Sequence, residues 1–296
     1  MSKVWLVTGS SRGLGLALAK AVLSAGHRLV ATARKPDDLR ELVERHGDRV
    51  RAVALDVTSP AAARDAVAAA TSAFGRLDVV VNNAGYANVS SIEDVREDDF
   101  RAQIETNLFG VVNVTRAALP VLRTQRGGHV IQISSIGGRH GSPGLAAYQT
   151  AKWGLEGFSE VLAREVAPFG VRVTIVEPGG IRTDWAGSSM HVDEVRDDYR
   201  PTVGAFMENV RKSHDAVRGD PARMAQAILQ VAAMPDPPLR LLLGSDAAFL
   251  AELVAAQRAA EDAKWRSLSV STDFEGLGDF RETPVAKMLA AMGRGS

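Results

Sequence analysis

The sequence VWLVTGSSRGLG at residues 4–15 joins four apolar residues to a turn with glycines at positions 9, 13 and 15. Helical periodicity follows directly, over residues 14–23. This order predicts a buried strand that runs through a glycine turn into a helix. Such glycines permit a tight turn, let the backbone approach a pyrophosphate closely and expose the amide groups of the helix N-terminus. We therefore expect a dinucleotide-binding turn; the alternative is that the glycines only turn the chain.

The alternation of short apolar runs with helical segments continues along the chain. Further apolar runs occupy residues 29–33, 50–55, 79–81, 130–133, 171–176 and 239–243, and the helical segments between and after them cover 37–45, 61–74, 98–122, 147–166, 221–234 and 247–266. Runs that are apolar on both faces and alternate with helices are typical of a parallel sheet wound by right-handed crossovers. The pattern predicts an α/β fold, a Rossmann-type doubly wound parallel sheet of about seven strands with helices on both faces.

The chain shows no linker that would separate two domains, so we expect one Rossmann-fold domain over residues 1–296. After Pro178 the pattern loosens into a stretch rich in charged and small residues. Such stretches often form lids over binding sites, and we assign a substrate lid to residues 184–218. Residues 267–296 have weak periodicity and little to bury, and we interpret them as a C-terminal extension.

Composition excludes several classes of protein. Thirty-five basic residues balance 35 acidic ones, so no overall field draws the chain to nucleic acid or to an anionic membrane. The absence of cysteine excludes a disulfide framework and a thiolate nucleophile, and the six histidines lack metal-ligand spacing, so we expect no bound metal. No apolar run approaches the ~18 residues of a membrane helix. We expect a cytoplasmic protein without a nucleic-acid or membrane partner.

The end of the second predicted strand indicates the cofactor. NAD-binding proteins place an acid there to hold the ribose 2′-hydroxyl, and an acid repels a 2′-phosphate. Here the strand ends at Ala33 and is followed by Arg34, while Arg12 in the glycine turn is a second cation. Two guanidiniums can hold a phosphate through charge-assisted hydrogen bonds. We therefore expect NADP(H) to be preferred over NAD(H); the alternative is that one of the arginines is only a solvated surface charge.

Three motifs in order connect the chain to a family over roughly residues 3–245. Residues 8–15 match the pattern Thr-Gly-x-x-x-Gly-x-Gly, residues 82–85 read Asn-Asn-Ala-Gly, and residues 148–152 match Tyr-x-x-x-Lys. With these motifs the chain resembles the short-chain dehydrogenases/reductases, in their simple, NADP-preferring form. The resemblance implies a Rossmann fold and hydride transfer between a nicotinamide and a CH–OH or C=O group.

The chemistry of Tyr148 can also be derived from the residues. A free tyrosine titrates near pH 10, so its phenolate is scarce at neutral pH unless a cation stabilises it. Lys152 lies four residues further along the predicted helix, on the same face, where its ammonium can lie beside the phenol and reach the nicotinamide ribose. We expect Tyr148 to give and take the proton and Lys152 to keep the phenol acidic.

The resemblance implies further site residues. Ser135, at the end of the fifth strand, fits the family's serine that binds the substrate oxygen, with Ser134 as the neighbour to compare, and Asn107 matches an asparagine that holds a water linked to the lysine. Residues expected to contact the cofactor are Gly9, Ser10, Arg12, Gly13, Leu14 and Gly15 in the glycine turn, Arg34, Asp56, Val57, Asn83, Ala84 and Gly85 on the adenosine side, Tyr148 and Lys152, and Pro178, Gly179, Ile181 and Thr183 near the nicotinamide.

These observations predict an NADP(H)-dependent carbonyl reductase or alcohol dehydrogenase. Apolar residues in the lid and in the loop before Tyr148 favour a hydrophobic ketone or aldehyde over a compact charged acid, namely Pro143, Leu145, Trp185, Met190 and Phe206. A non-catalytic NADP(H)-binding sensor or scaffold is the alternative, and an epimerase on a related fold is disfavoured by the Asn-Asn-Ala-Gly block. The resemblance also implies a homodimer or homotetramer.

Overall fold

In the residues that the structure describes, 2–182, 191–212 and 217–292 of a computed structural model, seven strands form one parallel sheet. They are β1 (Val4–Val7), β2 (Arg28–Ala33), β3 (Val50–Ala54), β4 (Val79–Asn82), β5 (Gly128–Ile133), β6 (Val171–Pro178) and β7 (Arg240–Leu243). Their order is β3-β2-β1-β4-β5-β6-β7, with every neighbouring pair parallel. The predicted Rossmann-type sheet is confirmed, and its strand order reverses between β1 and β4, where such folds bind ligands.

Helices connect the strands on both faces of the sheet. Those between the strands are α1 (Gly13–Ser24), α2 (Arg40–His46), α3 (Pro60–Phe74), α4 (Glu97–Ile104), α5 (Gly110–Gln125), α6 (Ala146–Val166), α7 (Ala205–Lys212) and α8 (Pro221–Ala233), while α9 (Ser245–Val270) and α10 (Pro284–Met292) follow β7 in the chain. Two of them begin with a side-chain cap followed by proline. Ser59 accepts a hydrogen bond from the amide of Ala62, and Asp220 accepts one from the amide of Ala222.

The alternating side chains of β1 divide the core into two layers. Trp5 and Val7 pack into a buried cluster that includes residues of α1 and α8. Val4 and Leu6 point to the opposite face, into a cluster that includes residues of α3, α5 and α6. Because both faces of the strand are buried, β1 and the glycine turn that follows it are held rigidly at the centre of the sheet.

One predicted helix is divided in the structure. The helical segment expected over residues 98–122 consists of α4 and α5, with a π-helical turn at Glu105–Phe109 between them. A π turn inserts one extra residue into an otherwise helical path, and such turns are frequent at functional sites. Asn107 lies in this turn and is fully buried.

The chain divides into two compact units, residues 1–250 and residues 251–296. The first contains the sheet. In the second, a single turn of 3-10 helix at Phe280–Glu282 precedes α10. The boundaries expected from sequence, namely one domain over 1–296 with a lid at 184–218 and an extension at 267–296, stay predictions. None of the helices in the described ranges has the length and apolar character needed to cross a membrane.

Candidate active site

A cavity of about 1130 Å³ lies at the carboxyl edge of the sheet, at the switch point between β1 and β4. It brings together the predicted catalytic residues Asn107, Ser135, Tyr148 and Lys152. Of the predicted cofactor contacts, those in its wall are Gly9, Arg12, Gly13, Leu14, Gly15, Arg34, Asp56, Val57, Asn83, Ala84, Gly85, Tyr148, Lys152, Pro178, Gly179 and Ile181. The cavity is large enough for a dinucleotide together with a small substrate.

The glycine turn forms one wall of the cavity. Backbone conformation favours glycine at one of its positions, and close packing requires it at another. Gly9 has a φ of +67°, in the left-handed region that favours glycine. A Cβ atom on Gly15 would lie 2.1 Å from the carbonyl oxygen of Gly9 and 2.5 Å from Nδ2 of Asn83. The turn is therefore packed so closely that only glycine fits at position 15.

The Asn-Asn-Ala-Gly block braces this turn from the end of β4. The Thr8 hydroxyl oxygen accepts hydrogen bonds of 2.9 Å from the backbone amides of both Asn83 and Ala84. The side-chain amide of Asn83 donates to the carbonyl oxygens of Thr8 and Gly9, at 2.9 and 3.1 Å. Asn83 thus ties the ends of β1 and β4 together beside the cavity.

One predicted cofactor contact points away from the cavity, and another lies outside the described residues. Ser10 is fully buried, and its hydroxyl donates to the carbonyl oxygen of Val7 at 2.8 Å, so its neighbour Ser11 lines the cavity instead. Thr183 lies outside the described residues, as do Trp185 and Met190 of the predicted lid. Wall residues that the sequence reasoning missed include Lys35, Asp38, Tyr86 and Asn88.

Three cations lie along the adenosine end of the cavity. Arg12, Arg34 and Lys35 are exposed there, and within the described parts of the chain none of them forms an ion pair with a carboxylate. Ala33, at the end of β2, is buried and carries no charge. Asp38 also lies in this wall and offsets part of the positive charge. The net charge of this end favours an anionic group.

Tyr148 and Ser135 face each other at the other end of the cavity. Tyr148 is buried, and burial raises the pKa of its phenol to about 12, although a hydrogen bond with the Ser135 side chain acts in the opposite direction. The Ser135 oxygen accepts a 3.0 Å hydrogen bond from the amide of Gly137, which leaves its hydroxyl hydrogen able to donate. Tyr148 is therefore a neutral phenol at neutral pH, able to give a proton.

Lys152 lies one helical turn after Tyr148 on α6. Its Nζ donates to the carbonyl oxygen of Ile133 at 2.8 Å and is 5.7 Å from the centre of the Tyr148 ring. Burial lowers the pKa of Lys152 to about 8, and the charge of Glu156 opposes that shift. The pKa of Tyr148 is raised by burial, and the hydrogen bond with Ser135 opposes that rise, so the lowering of this pKa by Lys152 stays a prediction.

Asn107 holds the backbone beside the cavity. Its side-chain amide donates to the carbonyl oxygens of Tyr86 and Gln103 at 2.9 and 2.8 Å, and its Oδ1 accepts from the amide of Tyr86 at 3.1 Å. A Cβ atom on Gly85 would lie 2.5 Å from this oxygen. Both amide hydrogens are used within the protein, and the water that the resemblance implies at Asn107 stays a prediction.

The segment after β6 is held by contacts with the first turn of α9. Asp246, in the first turn of α9, accepts a 2.7 Å hydrogen bond from the amide of Gly180, and a Cβ atom on Gly179 would lie 2.3 Å from its carboxylate oxygens. The backbone of Ile181 pairs with Gly219 in an isolated parallel bridge. These contacts hold the Pro178–Ile181 wall of the cavity in place.

The described part of the predicted lid packs beside Tyr148. Val203 and Met207 belong to a buried apolar cluster with Leu145 and Tyr148. Ion pairs hold the same segment to the loop after β4, since Arg196 lies 2.7 Å from Glu93. Apolar side chains of the predicted lid therefore pack in one cluster with Tyr148, which lines the cavity.

A second set of residues that sequence reasoning missed lies behind the catalytic side chains. Glu156 on α6, Glu177 on β6 and Arg240 on β7 form hydrogen-bonded ion pairs, and the Arg240 guanidinium reaches both carboxylates. Arg240 lies 84 residues from Glu156 and 63 from Glu177, so no short-range pattern in the sequence indicates their contact.

Comparison with known proteins gives a consistent result. The family model described as short chain dehydrogenase matches residues 3–193. The oxidoreductase BOA17 of Botryotinia fuckeliana is 54% identical over 273 residues, which are 92% of this chain and 100% of that protein. The crystal structure of a short-chain dehydrogenase from Streptomyces avermitilis matches with a TM-score of 0.85 at 40% identity, over 92% of this chain and 98% of that one. An alcohol dehydrogenase from Thermococcus sibiricus, complexed with 5-hydroxy-NADP, matches with a TM-score of 0.68 at 27% identity, over 82% of this chain and 96% of that one.

Proposed function

This chain belongs to the short-chain dehydrogenase family, and we propose that within it the chain is an NADP(H)-dependent carbonyl reductase and alcohol dehydrogenase for hydrophobic substrates. Its class, an NAD(P)-dependent oxidoreductase of CH–OH and C=O groups, follows from the family. The observation that carries the proposal is the meeting of Ser135, Tyr148 and Lys152 at one end of a cavity whose other end holds a glycine turn and cations.

The wall of the cavity fits a nicotinamide dinucleotide phosphate. The close packing of Gly15 against Gly9 leaves a backbone surface that a pyrophosphate can approach, next to the N-terminus of α1. Arg12, Arg34 and Lys35 supply cations for a 2′-phosphate, with Ala33 in place of the acid that would repel it. We assign the adenosine half of the cofactor to this end and the nicotinamide to the end bordered by Pro178, Gly179 and Ile181.

In the reductive direction, NADPH held by the glycine turn and the cations would supply the hydride for the carbonyl carbon. The Ser135 hydroxyl donates a hydrogen bond to the substrate oxygen, where negative charge develops. The Tyr148 phenol gives its proton to that oxygen, which completes the alcohol and leaves a phenolate. The Lys152 ammonium stabilises that phenolate, and Asn107 fixes the backbone around the site. Oxidation of a secondary alcohol runs the same steps in reverse.

The apolar cluster beside Tyr148 supports a hydrophobic substrate. Leu145, Val203 and Met207 are buried in it, and Phe206 is partly buried against it. We assign the substrate lid to residues 184–218, of which 191–212 and 217–218 are described. Pro143 is exposed at the loop before α6, which leaves it able to meet a substrate that enters beside the lid. A steroid, a retinoid, a polyketide or a fatty ketone each suits such a surface.

NADPH-dependent reduction of hydrophobic ketones is the first expected outcome, measured by absorbance with a ketone and aldehyde panel run in parallel with NADH. Arg34→Asp should weaken NADPH binding about 10–100-fold, since a charge-assisted hydrogen bond to a phosphate is lost, and should shift the preference toward NADH. Arg40→Asp is the matched control, because Arg40 is also exposed but does not line the cavity. Unchanged cofactor preference in Arg34→Asp refutes the phosphate assignment, and no turnover across the panel favours a cofactor-binding sensor.

A falling alkaline limb is expected in the pH profile of reduction. The Lys152 pKa is lowered to about 8, so its charge is present below that pH and is lost as the pH rises through it. Tyr148, with its pKa raised to about 12, stays protonated throughout. The kcat/KM for reduction should therefore be flat from pH 6 to 7 and decline above pH 8, since it reports groups of the free enzyme. A kcat/KM that keeps rising from pH 8 to 10 contradicts this role of Lys152.

We also propose that the protein assembles as a homodimer or homotetramer in the cytoplasm. Large apolar side chains are exposed on the π-helical turn and on α6, namely Phe109, Trp153 and Val161, which suits a contact between copies. The absence of cysteine fits a reducing compartment. Light scattering on the purified protein measures the assembly.

A further inference from the structure

We propose that Glu156, held in place by Arg240, is a positioning residue of the active site that supplies the counter-charge for Lys152 and fixes the strand end carrying Ser135. This inference rests on the proposed function, since it assigns Lys152 and Ser135 the roles given above. Glu156 itself lies outside the wall of the cavity, so it acts through its neighbours.

The position of Glu156 on α6 places it beside both groups. Tyr148, Lys152 and Glu156 follow one another at intervals of four residues, so they share one face of the helix. Glu156 is buried, and its Oε1 accepts a 2.7 Å hydrogen bond from the hydroxyl of Ser134, next to Ser135. A Cβ atom on Gly138 would lie 2.0 Å from the same oxygen, so the loop after Ser135 is packed directly against this carboxylate.

Arg240 connects Glu156 with the other segments that build the site. Its guanidinium donates to Oε2 of Glu156 at 2.5 Å and to Oε1 of Glu177 at 2.6 Å. Glu177 directly precedes Pro178, in the cavity wall, and also pairs with Arg139 from the loop after β5. One guanidinium thus joins the helix of Lys152 to the end of β6, and Glu156 extends the connection to Ser134 after β5.

The charged groups around Lys152 single out Glu156 as its counter-charge. On α6 itself the titratable neighbours are Tyr148, a neutral phenol, and Glu156. From the sheet side, Glu177 is shared between Arg240 and Arg139, and from α4 the carboxylate of Asp99 accepts hydrogen bonds from Asn88 and Gln103. Burial lowers the pKa of Lys152, and the charge of Glu156 opposes that lowering. Burial raises the pKa of Glu156 itself, and the hydrogen bonds from Arg240 and Ser134 oppose that rise. A Glu156 carboxylate that these bonds keep ionised helps Lys152 to stay protonated in a buried site.

Glu156→Gln tests this role, because glutamine keeps the size of the side chain and its ability to bond Ser134 while removing the charge. Without that charge the Lys152 pKa should fall further, by about one unit. The alkaline limb of kcat/KM should then move to lower pH, with activity about fivefold below the wild type at pH 8 and nearly equal to it at pH 6. Equal activity at pH 6 shows that the fold and the chemistry are intact.

Glu160→Gln is the matched control. Glu160 lies one turn further along α6 and also accepts from Arg240, at 2.7 Å, but its side chain is 44% exposed and it does not bond Ser134. We expect the alkaline limb of kcat/KM in Glu160→Gln to stay at the wild-type pH. The proposal is overturned if the limb of Glu156→Gln stays at the wild-type pH, or if both variants shift equally, since the effect then belongs to Arg240 in general.

Two further measurements separate the possible failures. If Glu156→Gln does not fold, Glu156→Asp is the second variant, because aspartate keeps the charge but holds it farther from Lys152. The alkaline limb of kcat/KM should then move in the same direction by less. An unshifted limb in Glu156→Asp also overturns the proposal. The proposed function is tested separately: it fails if the wild-type enzyme turns over no carbonyl with NADPH. An active wild type with an unshifted Glu156→Gln limb refutes the positioning role alone.

Discussion

Tyr148→Phe is expected to lower kcat for reduction by about 10²–10⁴-fold, the contribution that a positioned proton donor makes. Phenylalanine keeps the ring in its buried place beside Leu145 and removes only the hydroxyl that hydrogen-bonds with Ser135. NADPH binding should change little, because the cations and the glycine turn at the far end of the cavity are untouched. The measurements are steady-state turnover by absorbance and NADPH titration by fluorescence.

Tyr86→Phe is a suitable comparison, since it removes a second phenol from the wall of the same cavity. Its pKa is raised by burial and by the charge of Asp99, and its hydroxyl hydrogen-bonds with Thr106. We expect its effect on kcat to be less than tenfold. Activity in Tyr148→Phe within tenfold of the wild type rules out Tyr148 as the proton donor.

Gly15→Ala is expected to abolish measurable cofactor binding and to lower stability by about 1–3 kcal/mol, the usual cost of forcing an extra methyl group into a packed site. The new Cβ would lie 2.1 Å from the Gly9 carbonyl oxygen, and backbone atoms cannot move aside as the end of a side chain can. The turn must therefore open and lose its hydrogen bonds with Asn83. NADPH titration and thermal unfolding with and without NADPH measure the two effects.

Gly278→Ala provides the control for adding a methyl group to a glycine. A Cβ atom there meets nothing within 4 Å, and the backbone is outside the left-handed region, so binding and stability should stay close to wild type. A Gly15→Ala protein that binds NADPH with wild-type affinity shows that the turn does not need this packing. The cofactor assignment to the glycine turn then has to be abandoned.

Most of the fold is predictable from the sequence because burial on both faces leaves a strong pattern. Each predicted strand matches an observed one, as with the apolar residues 50–55 and β3 (Val50–Ala54). The ends are less predictable: β6 continues through Glu177 and Pro178, and only its pairing with β7 shows this. The π-helical turn at Glu105–Phe109 was missed, since one inserted residue hardly disturbs the apolar periodicity of a long helix.

The candidate site is predictable where its residues are close in sequence. The Tyr148–Lys152 pair and the glycine turn are such cases, because helix geometry and turn chemistry act over a few residues. Ser10 shows the limit, as neighbouring residues of a turn point in different directions and only the folded backbone shows which side chain faces the cavity. The contact of Arg240 with Glu156 arises from pairing of the sheet and leaves no local trace.

Strand β7 is the last strand of the sheet to leave the ribosome, and it carries Arg240. Residues that form the cavity from Gly9 to Ile181 are synthesised earlier, and domains begin to form during synthesis. Until residue 240 emerges, Glu156 lacks the guanidinium that it meets in the finished protein. A buried carboxylate without a counter-ion costs on the order of several kcal/mol, so we expect a shortened chain that ends before β7 to hold its catalytic residues in a less stable arrangement. Completion of the active site is thereby tied to completion of the sheet.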